Sequence, residues 1–333
     1  MASLTLDALH DLAVRVLCAS RTSPENAAAV AQALVAAEAD GLAGHGASRL
    51  PSYADQAVAG KVDGLATPGL SETAAAAVRV DARNGFAYPA IALGLDRAAG
   101  LVEKTGVVAV AVGNSHHFGA AGYHVERLAE KGFVGLAFGN SPAAIAPWGG
   151  SRALFGTNPI ACACPRTGAA PLVIDLGLSR AARGRIMVAA RAGEPIPEGW
   201  ALDAGGRPTT DATAAMEGTM LPMGDAKGSA LVLMVEILAA ALTNSHFGYQ
   251  ASSFFDAKGP PPRTGQFFLV LRPENFAGDA FPGRLEELLK AILDQPGTRL
   301  PGQRRLANRE KARRSGVDIP DALHAELLKR AGG

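Results

Sequence analysis

The feature that most constrains this chain is a junction. An apolar, β-branched run at residues 107–112 gives way to Gly113-Asn114-Ser115-His116-His117-Phe118-Gly119-Ala120-Ala121-Gly122-Tyr123, and a helical pattern follows. A strand that ends in glycine, histidine and polar residues before re-entering a helix sets backbone N–H groups and two imidazoles at one mouth. Such a mouth suits an anionic cofactor or substrate. The G-x-G-x-x-G fingerprint of doubly wound dinucleotide folds occurs nowhere in the chain, so a nucleotide site here is of another kind.

The 333 residues are 48% hydrophobic and only 5% aromatic. Ala, Leu and Val dominate, which points to an α/β or α+β enzyme whose helices pack closely through small side chains. A formal net charge of +1, with no basic stripe, argues against nucleic acid as the partner. Cys18, Cys162 and Cys164 make neither a disulfide framework nor a zinc spacing, and a reducing, cytoplasmic compartment is expected. No secretory leader pattern opens the chain. The longest apolar stretch, 229–243, contains Glu236 and is too short to span a bilayer, so no membrane partner is expected.

Along the chain, the apolar periodicity predicts helices at 4–19, 26–39 and 49–59, interrupted by a glycine-rich elbow at 40–46. From residue 75 strands and helices alternate: strand 78–80, helix 90–103, strand 107–112, helix 120–130 and strand 133–138. Strands at 143–146, 160–163 and 172–174 follow. The Pro- and Gly-rich stretch 193–215 is too long for a plain connector and is expected to pack over something. A core helix at 227–243, a strand at 266–271, a helix at 285–293 and an amphipathic tail helix at 321–330 complete the pattern. The expected organisation is a helical unit at 1–72, a catalytic core at 73–298 and a C-terminal segment at 299–333 that returns to the core.

Several constellations carry chemistry. His45, Arg49 and Tyr53 are spaced by four and share one face if a helix begins this early. An imidazole beside a guanidinium is held toward its neutral form, and the guanidinium fork matches a carboxylate. His117 and His124 stand two helical turns apart, but no acidic or cysteine ligand sits at a suitable spacing, so no metal is expected. Gly156-Thr157-Asn158-Pro159 forms a turn ahead of a strand. Asp175-Leu176-Gly177 ends a strand before a helix bearing Arg183 and Arg185, where an acid can take ribose hydroxyls. Gly224-Asp225-Ala226-Lys227-Gly228 is a glycine-rich loop opening a helix. Arg299-Leu300-Pro301-Gly302-Gln303-Arg304-Arg305 is either a solvated basic segment or a 2′-phosphate site.

In order, the His45 elbow, the Asn114-to-Tyr123 turn, Ala146-Pro147-Trp148-Gly149-Gly150, Gly156-Thr157-Asn158-Pro159 and the Lys227-Gly228 helix resemble the malate/L-lactate dehydrogenase family, distinct from the Rossmann-type enzymes. Gly224-Asp225-Ala226-Lys227-Gly228, Ala251-Ser252-Ser253-Phe254-Phe255-Asp256 and Gly259-Pro260-Pro261 resemble most its Δ1-piperideine-2-carboxylate/Δ1-pyrroline-2-carboxylate reductases. The resemblance implies a non-Rossmann NAD(P)-binding fold with a mixed, largely antiparallel sheet flanked by helices, and a homodimer. It implies His45 as proton donor, Arg49 as carboxylate binder and Thr157 as a substrate contact, and the spacing of four adds Tyr53 as a candidate on the substrate. Cofactor contacts fall on His117, Phe118, Gly119, Ala120 and Ala121, on Asp175, Leu176, Gly177 and Arg183, on Gly224, Asp225 and Lys227, and on Pro301, Gly302, Gln303, Arg304 and Arg305. The arginines favour NADPH, with NADH as the alternative.

The chain departs from the resemblance at Gly44, where related imine reductases often carry serine, and at Arg185, where some carry an acid. The expected reaction is reduction of a cyclic imine 2-carboxylate to proline or pipecolate. The alternative is a 2-hydroxyacid dehydrogenase of the malate, lactate, sulfolactate or ureidoglycolate type, acting on the matching 2-keto acid.

Overall fold

The computed structural model of the chain describes residues 1–332. Its centre is a seven-stranded sheet in the order Gly69–Ala74, Ala77–Asp81, Val107–Ser115, Thr264–Leu271, Val134–Gly139, Ile160–Cys164, Leu172–Leu176. Only Ala77–Asp81 and Val107–Ser115 run parallel; every other pairing is antiparallel. The sheet is therefore mixed and largely antiparallel, unlike the all-parallel sheet that a repeated βαβ rhythm builds.

Two helices cover one face, Ala87–Thr105 and Ala121–Glu130. They bury Val78, Val80, Val108, Val110, Val112, Phe268 and Val270 in one apolar cluster. Gly94 permits this close approach, because a Cβ there would lie 2.8 Å from Val110 Cγ1 and 3.0 Å from Val80 Cγ2. The other face meets Asp225–Glu236, which continues as a π-helical stretch, Ile237–Ala241, against Phe138 and Phe267.

The N-terminal helices Leu6–Ala19, Pro24–Ala39 and Leu50–Val58 form a second core. Thr5 and Ser23 cap the first two through their hydroxyls. The C-terminal segment joins this unit: strand Val317–Ile319 pairs with Ala2–Leu4, and Ala312, Ile319 and Leu327 lie in the same cluster. The basic stretch after Arg299 leads into a helix, Gln303–Ser315, which the local sequence hides because its charges fall on every face.

Two expected elements differ. Residues 143–146 make only isolated bridges from Ile145 to Phe155 and Met220, since prolines and glycines interrupt the ladder. The stretch 193–215 contains the short strands Ala201–Leu202 and Pro208–Thr209, which join Thr219–Met220 in a small second sheet.

Candidate active site

The site forms where the N-terminal unit, the sheet and the C-terminal segment meet. The elbow after Pro24–Ala39 is two 3-10 turns, Ala43–His45 and Ala47–Arg49, before Leu50–Val58 begins. Gly46 separates them and leaves no room for a Cβ, which would overlap the Glu38 carboxylate. That carboxylate instead accepts a hydrogen bond from Ala47 N at 2.8 Å. Arg49 Nε donates to Gly44 O at 2.7 Å, and its guanidinium lies 4.8 Å from the centre of the Phe255 ring. Its remaining N–H groups are left for an anion.

Beside the elbow is the end of Val107–Ser115. Asn114 adopts a left-handed φ of 49° and donates from Nδ2 to Asp81 Oδ1 at 3.0 Å, bending the chain out of the ladder. The turn then delivers His116 and His117. The His117 ring stacks 5.7 Å from that of His45, and its Nδ1 lies 2.6 Å from Tyr53 Oη, which in turn lies 3.1 Å from Tyr88 Oη. His116 Nε2 donates to Gln56 Oε1 at 2.6 Å, and His124 Nε2 donates to Phe118 O at 2.8 Å.

Burial pushes these imidazoles toward the neutral form. It lowers His116 to about 3, helped by the charges of Lys61 and Arg49, and His124 to about 4. His117 falls well below its usual value through burial, then Arg49. His45, partly open to the cleft, is lowered to about 4 by desolvation and then by Arg49. At neutral pH His45 is a proton acceptor in the ligand-free protein.

Together these groups line a cleft of about 1740 Å³. Ordinary small-molecule pockets hold about 300–1,000 Å³, so this one has room for a dinucleotide and a substrate together. Three helices begin on its wall, at Ala121, Arg183 and Gln303, and none has a side-chain cap. Their aligned peptide dipoles and first-turn N–H groups suit phosphates. One of those groups, Gly122 N, donates to Asp175 Oδ2 at 2.7 Å, and a Cβ at Gly122 would sit 3.0 Å from that oxygen. Arg305 Nε is buried without a partner. Uncapped helix starts, an orphaned donor and a glycine packed on an acid together fit a nicotinamide dinucleotide.

On the far wall, Ser141 Oγ accepts from Thr157 N at 3.1 Å and lies 3.4 Å from Thr157 Oγ1. Asn158, at a φ of 40°, donates to Glu236 Oε2 at 2.7 Å, and Asn140 donates to Glu236 Oε1 at 3.2 Å. The buried Glu236 thereby braces both chain segments that face the cleft. Burial raises its pKa despite these bonds.

Most of the candidate residues converge here. His45, Arg49, His117 to Ala121, Thr157, Asp175 to Gly177, Arg183 and Pro301 to Arg305 all line the cleft. Tyr53 does not touch it. Because the elbow is broken at Gly46, Tyr53 turns inward, is fully buried and meets the site through its hydrogen bond with His117. Gly224, Asp225 and Lys227 also lie outside the cleft wall of this chain, exposed at the start of Asp225–Glu236, with Asp225 3.7 Å from Arg180.

Arg305 lines the cleft, but its guanidinium is committed: Nη1 and Nη2 bond Glu126 at 2.7 and 2.8 Å, and Nη1 also bonds Asp40 at 3.0 Å. Arg304 also lines the cleft and has no such partner among the described residues. The sequence pattern gives no role to Asn140, Ser141, Gln56 and Tyr88. Their only signal is tertiary proximity.

A non-Rossmann fold with phosphate-ready helix ends, a carboxylate-ready arginine and a neutral histidine defines a nicotinamide-dependent oxidoreductase. The chain belongs to the malate/L-lactate dehydrogenase family, whose model matches residues 4–328. It is 54% identical over 97% of its length, and 96% of the relative's, to a (2R)-3-sulfolactate dehydrogenase (NADP(+)) of Chromohalobacter salexigens. It is 42% identical, over 98% of the chain and 99% of the relative, to a Δ1-pyrroline-2-carboxylate/Δ1-piperideine-2-carboxylate reductase of Pseudomonas aeruginosa. The solved Δ1-piperideine-2-carboxylate reductase of Pseudomonas syringae pvar. tomato superposes with a TM-score of 0.94 at 39% identity, covering 99% of this chain and 100% of that one. The protein is an NAD(P)H-dependent oxidoreductase. No helix among the described residues is long and apolar enough to cross a membrane.

Proposed function

We propose that the protein interconverts a 2-hydroxy acid carrying a second anionic group, of the 3-sulfolactate kind, with its 2-oxo acid, using NADP(H). The observation that carries this reading is the charge of the cleft. Arg49, Arg183, Arg185, Arg299 and Arg304 line it without a carboxylate partner among the described residues, against only Asp175 and Glu194 as acids outside ion pairs. A dinucleotide phosphate uses part of that excess, and a dianionic substrate uses the rest. The 54% identical sulfolactate dehydrogenase supports the same class.

A bound nicotinamide would supply the hydride chemistry, between its ring and C2 of the substrate, and the helix starts at Ala121, Arg183 and Gln303 would hold its phosphates. Arg49 holds the carboxylate in a forked pair, with its own Nε anchored on Gly44 O. Phe255 supports the guanidinium from below. Neutral His45 takes the hydroxyl proton as the C–H bond breaks, and the imidazolium gives it back in reduction. His117, fixed through Nδ1 by Tyr53, stacks on the His45 ring and holds its orientation. Anionic ligands in the cleft raise the His45 pKa from its ligand-free value, which matches it to proton donation once the site is filled.

Reduction of Δ1-pyrroline- or Δ1-piperideine-2-carboxylate is the second reading, favoured by the 42% identical reductase and the TM-score of 0.94. A protonated imine needs little from His45, yet the acids of the cleft outside ion pairs, Asp175 and Glu194, stand on other elements than the elbow that carries Arg49. The deciding assay follows NADPH absorbance with sulfopyruvate, oxaloacetate, pyruvate and the two cyclic imines. Turnover of the imines alone would overturn the first reading. His45→Gln should cut kcat by about 10²–10⁴-fold with NADPH binding intact. Arg49→Met should raise KM for any 2-carboxylate.

A homodimer also belongs to this reading. Leu233, Met234, Ile237 and Leu242 stand exposed along the helix from Asp225 and the π stretch after it, an apolar strip of the sort that a second copy covers.

A further inference from the structure

Lys61 is a buried ammonium to which the hydride chemistry assigns no task. Its side chain is 1% exposed, and Nζ donates to three backbone carbonyls: Ser253 O at 2.7 Å, Asp256 O at 2.9 Å and Lys258 O at 2.7 Å. The nearest carboxylate oxygen, Asp256 Oδ1, is 3.5 Å away on a half-exposed side chain. A charge so buried is tolerated only when its protons are all placed, and here three carbonyls take three protons. The carbonyls belong to a segment with no helix or strand of its own, so no ladder holds it in shape.

That segment forms one wall of the site. Phe254 packs 5.3 Å from the His116 ring and 5.1 Å from the His117 ring, and Phe255 lies under the Arg49 guanidinium. Gln56 adds a second tie, donating from Nε2 to Phe254 O at 2.9 Å while its Oε1 holds His116. Phe255 is itself largely exposed, so its place beneath Arg49 is set by its backbone and by little else.

We propose that Lys61 is a positioning residue for substrate: its ammonium gathers the 253–258 backbone around one point and so holds Phe255 under Arg49 and Phe254 against His117. The proposal rests on the reading of Arg49 as the carboxylate anchor. A guanidinium whose supporting ring can drift spends more of its time misaligned, so its forked pair with the substrate carboxylate forms less often and binding weakens. The expected signature is confined to the carboxylate substrate, because the phosphate-facing helix starts lie on other elements.

The test uses the full chain with NADPH and whichever substrate of the panel is turned over fastest. Lys61→Ala should raise KM for that substrate by on the order of tenfold, while kcat and the NADPH Kd change by less than about twofold. n-Propylammonium, which replaces the atoms removed, should restore KM, whereas n-propanol should not. A folded Lys61→Ala protein with unchanged KM overturns the proposal, as does a KM rise that both additives or neither reverses.

If Lys61→Ala does not fold, Phe255→Leu decides at an exposed position: raised KM with kcat kept supports the proposal, and unchanged KM overturns it. Arg49→Met separates the two failures. An unchanged KM there sinks the anchor reading itself. A raised KM there, beside unchanged values for Lys61→Ala and Phe255→Leu, sinks only the role of Lys61.

Discussion

Replacing His124 by glutamine isolates one titration from an unusual set. His116, His117 and His124 are all buried and all held neutral, with pKa values of about 3 for His116 and about 4 for His124 and well below normal for His117. In the unfolded chain each titrates at about 6.5. Between those values the unfolded state binds protons that the folded state refuses, so stability falls as pH drops below about 6.5. The slope is about 1.4 kcal/mol per pH unit for each of His116 and His124, or about 3 kcal/mol per unit for the two.

By pH 5 the loss is about 2 kcal/mol each for His116 and His124, or about 4 kcal/mol for the two, a large share of the stability of an ordinary domain, and His117 adds to it in the same direction. The raised pKa of buried Glu236 acts in the opposite sense, since the folded state then takes up a proton more readily. His124→Gln keeps an N–H donor where Nε2 meets Phe118 O and removes the titration, while the ring contacts it also loses, with Tyr88, Phe118, Tyr123 and Phe268, lower stability by the same amount at every pH. Urea unfolding of both proteins from about pH 7.5 to 5 should show the variant losing about 2 kcal/mol less across the range. The Glu236 contribution is common to both and cancels. Parallel curves would refute the claim that His124 is folded in its neutral form.

Three further outcomes follow from particular contacts. Glu126 is almost fully buried and receives Arg305 and Arg309 through four bonds of 2.7–3.0 Å, so Glu126→Gln should cost about 3 kcal/mol and lower Tm by about 4 °C for a chain of 333 residues. Burial raises the Glu126 pKa, but the two arginines outweigh it and the net shift is downward. Its contribution is therefore whole above the unfolded value of about 4.3 and is lost as pH falls through the folded one, which scanning calorimetry across acid pH would read. Arg304→Ala should weaken NADPH binding by about tenfold and leave NADH nearly unchanged, by fluorescence titration of each. Ile237→Asp, on the exposed apolar strip, should shift light-scattering mass to that of a monomer.

The local pattern is enough for the helices at the N-terminus, for the strand before His116 and for the pairing of His45 with Arg49. Each rests on periodicity, turn residues or near-neighbour spacing, which act within a few residues. Parts of the cleft are readable too wherever a motif carries its own geometry, as at His117 to Ala121 and Asp175 to Gly177. Tyr53 shows the limit. Its spacing from His45 and Arg49 gives a shared face only on an unbroken α-helix. Gly46 instead divides the elbow into two 3-10 turns, and the Ser48 hydroxyl closes the bend on Ala43 O at 2.6 Å. The regular helix starts only at Leu50, so Tyr53 points into the core and not into the cleft.

Near-neighbour contacts thus suffice for the local elements and for the family of chemistry they carry. Which groups face the ligand and which brace it depends on the assembled fold. Lys61 meets Ser253, and Arg305 meets Asp40 and Glu126, across separations that no local pattern encodes. Burial, which sets the protonation of His116, His117 and His124, exists only once the sheet, the helices and the N-terminal unit have closed around them.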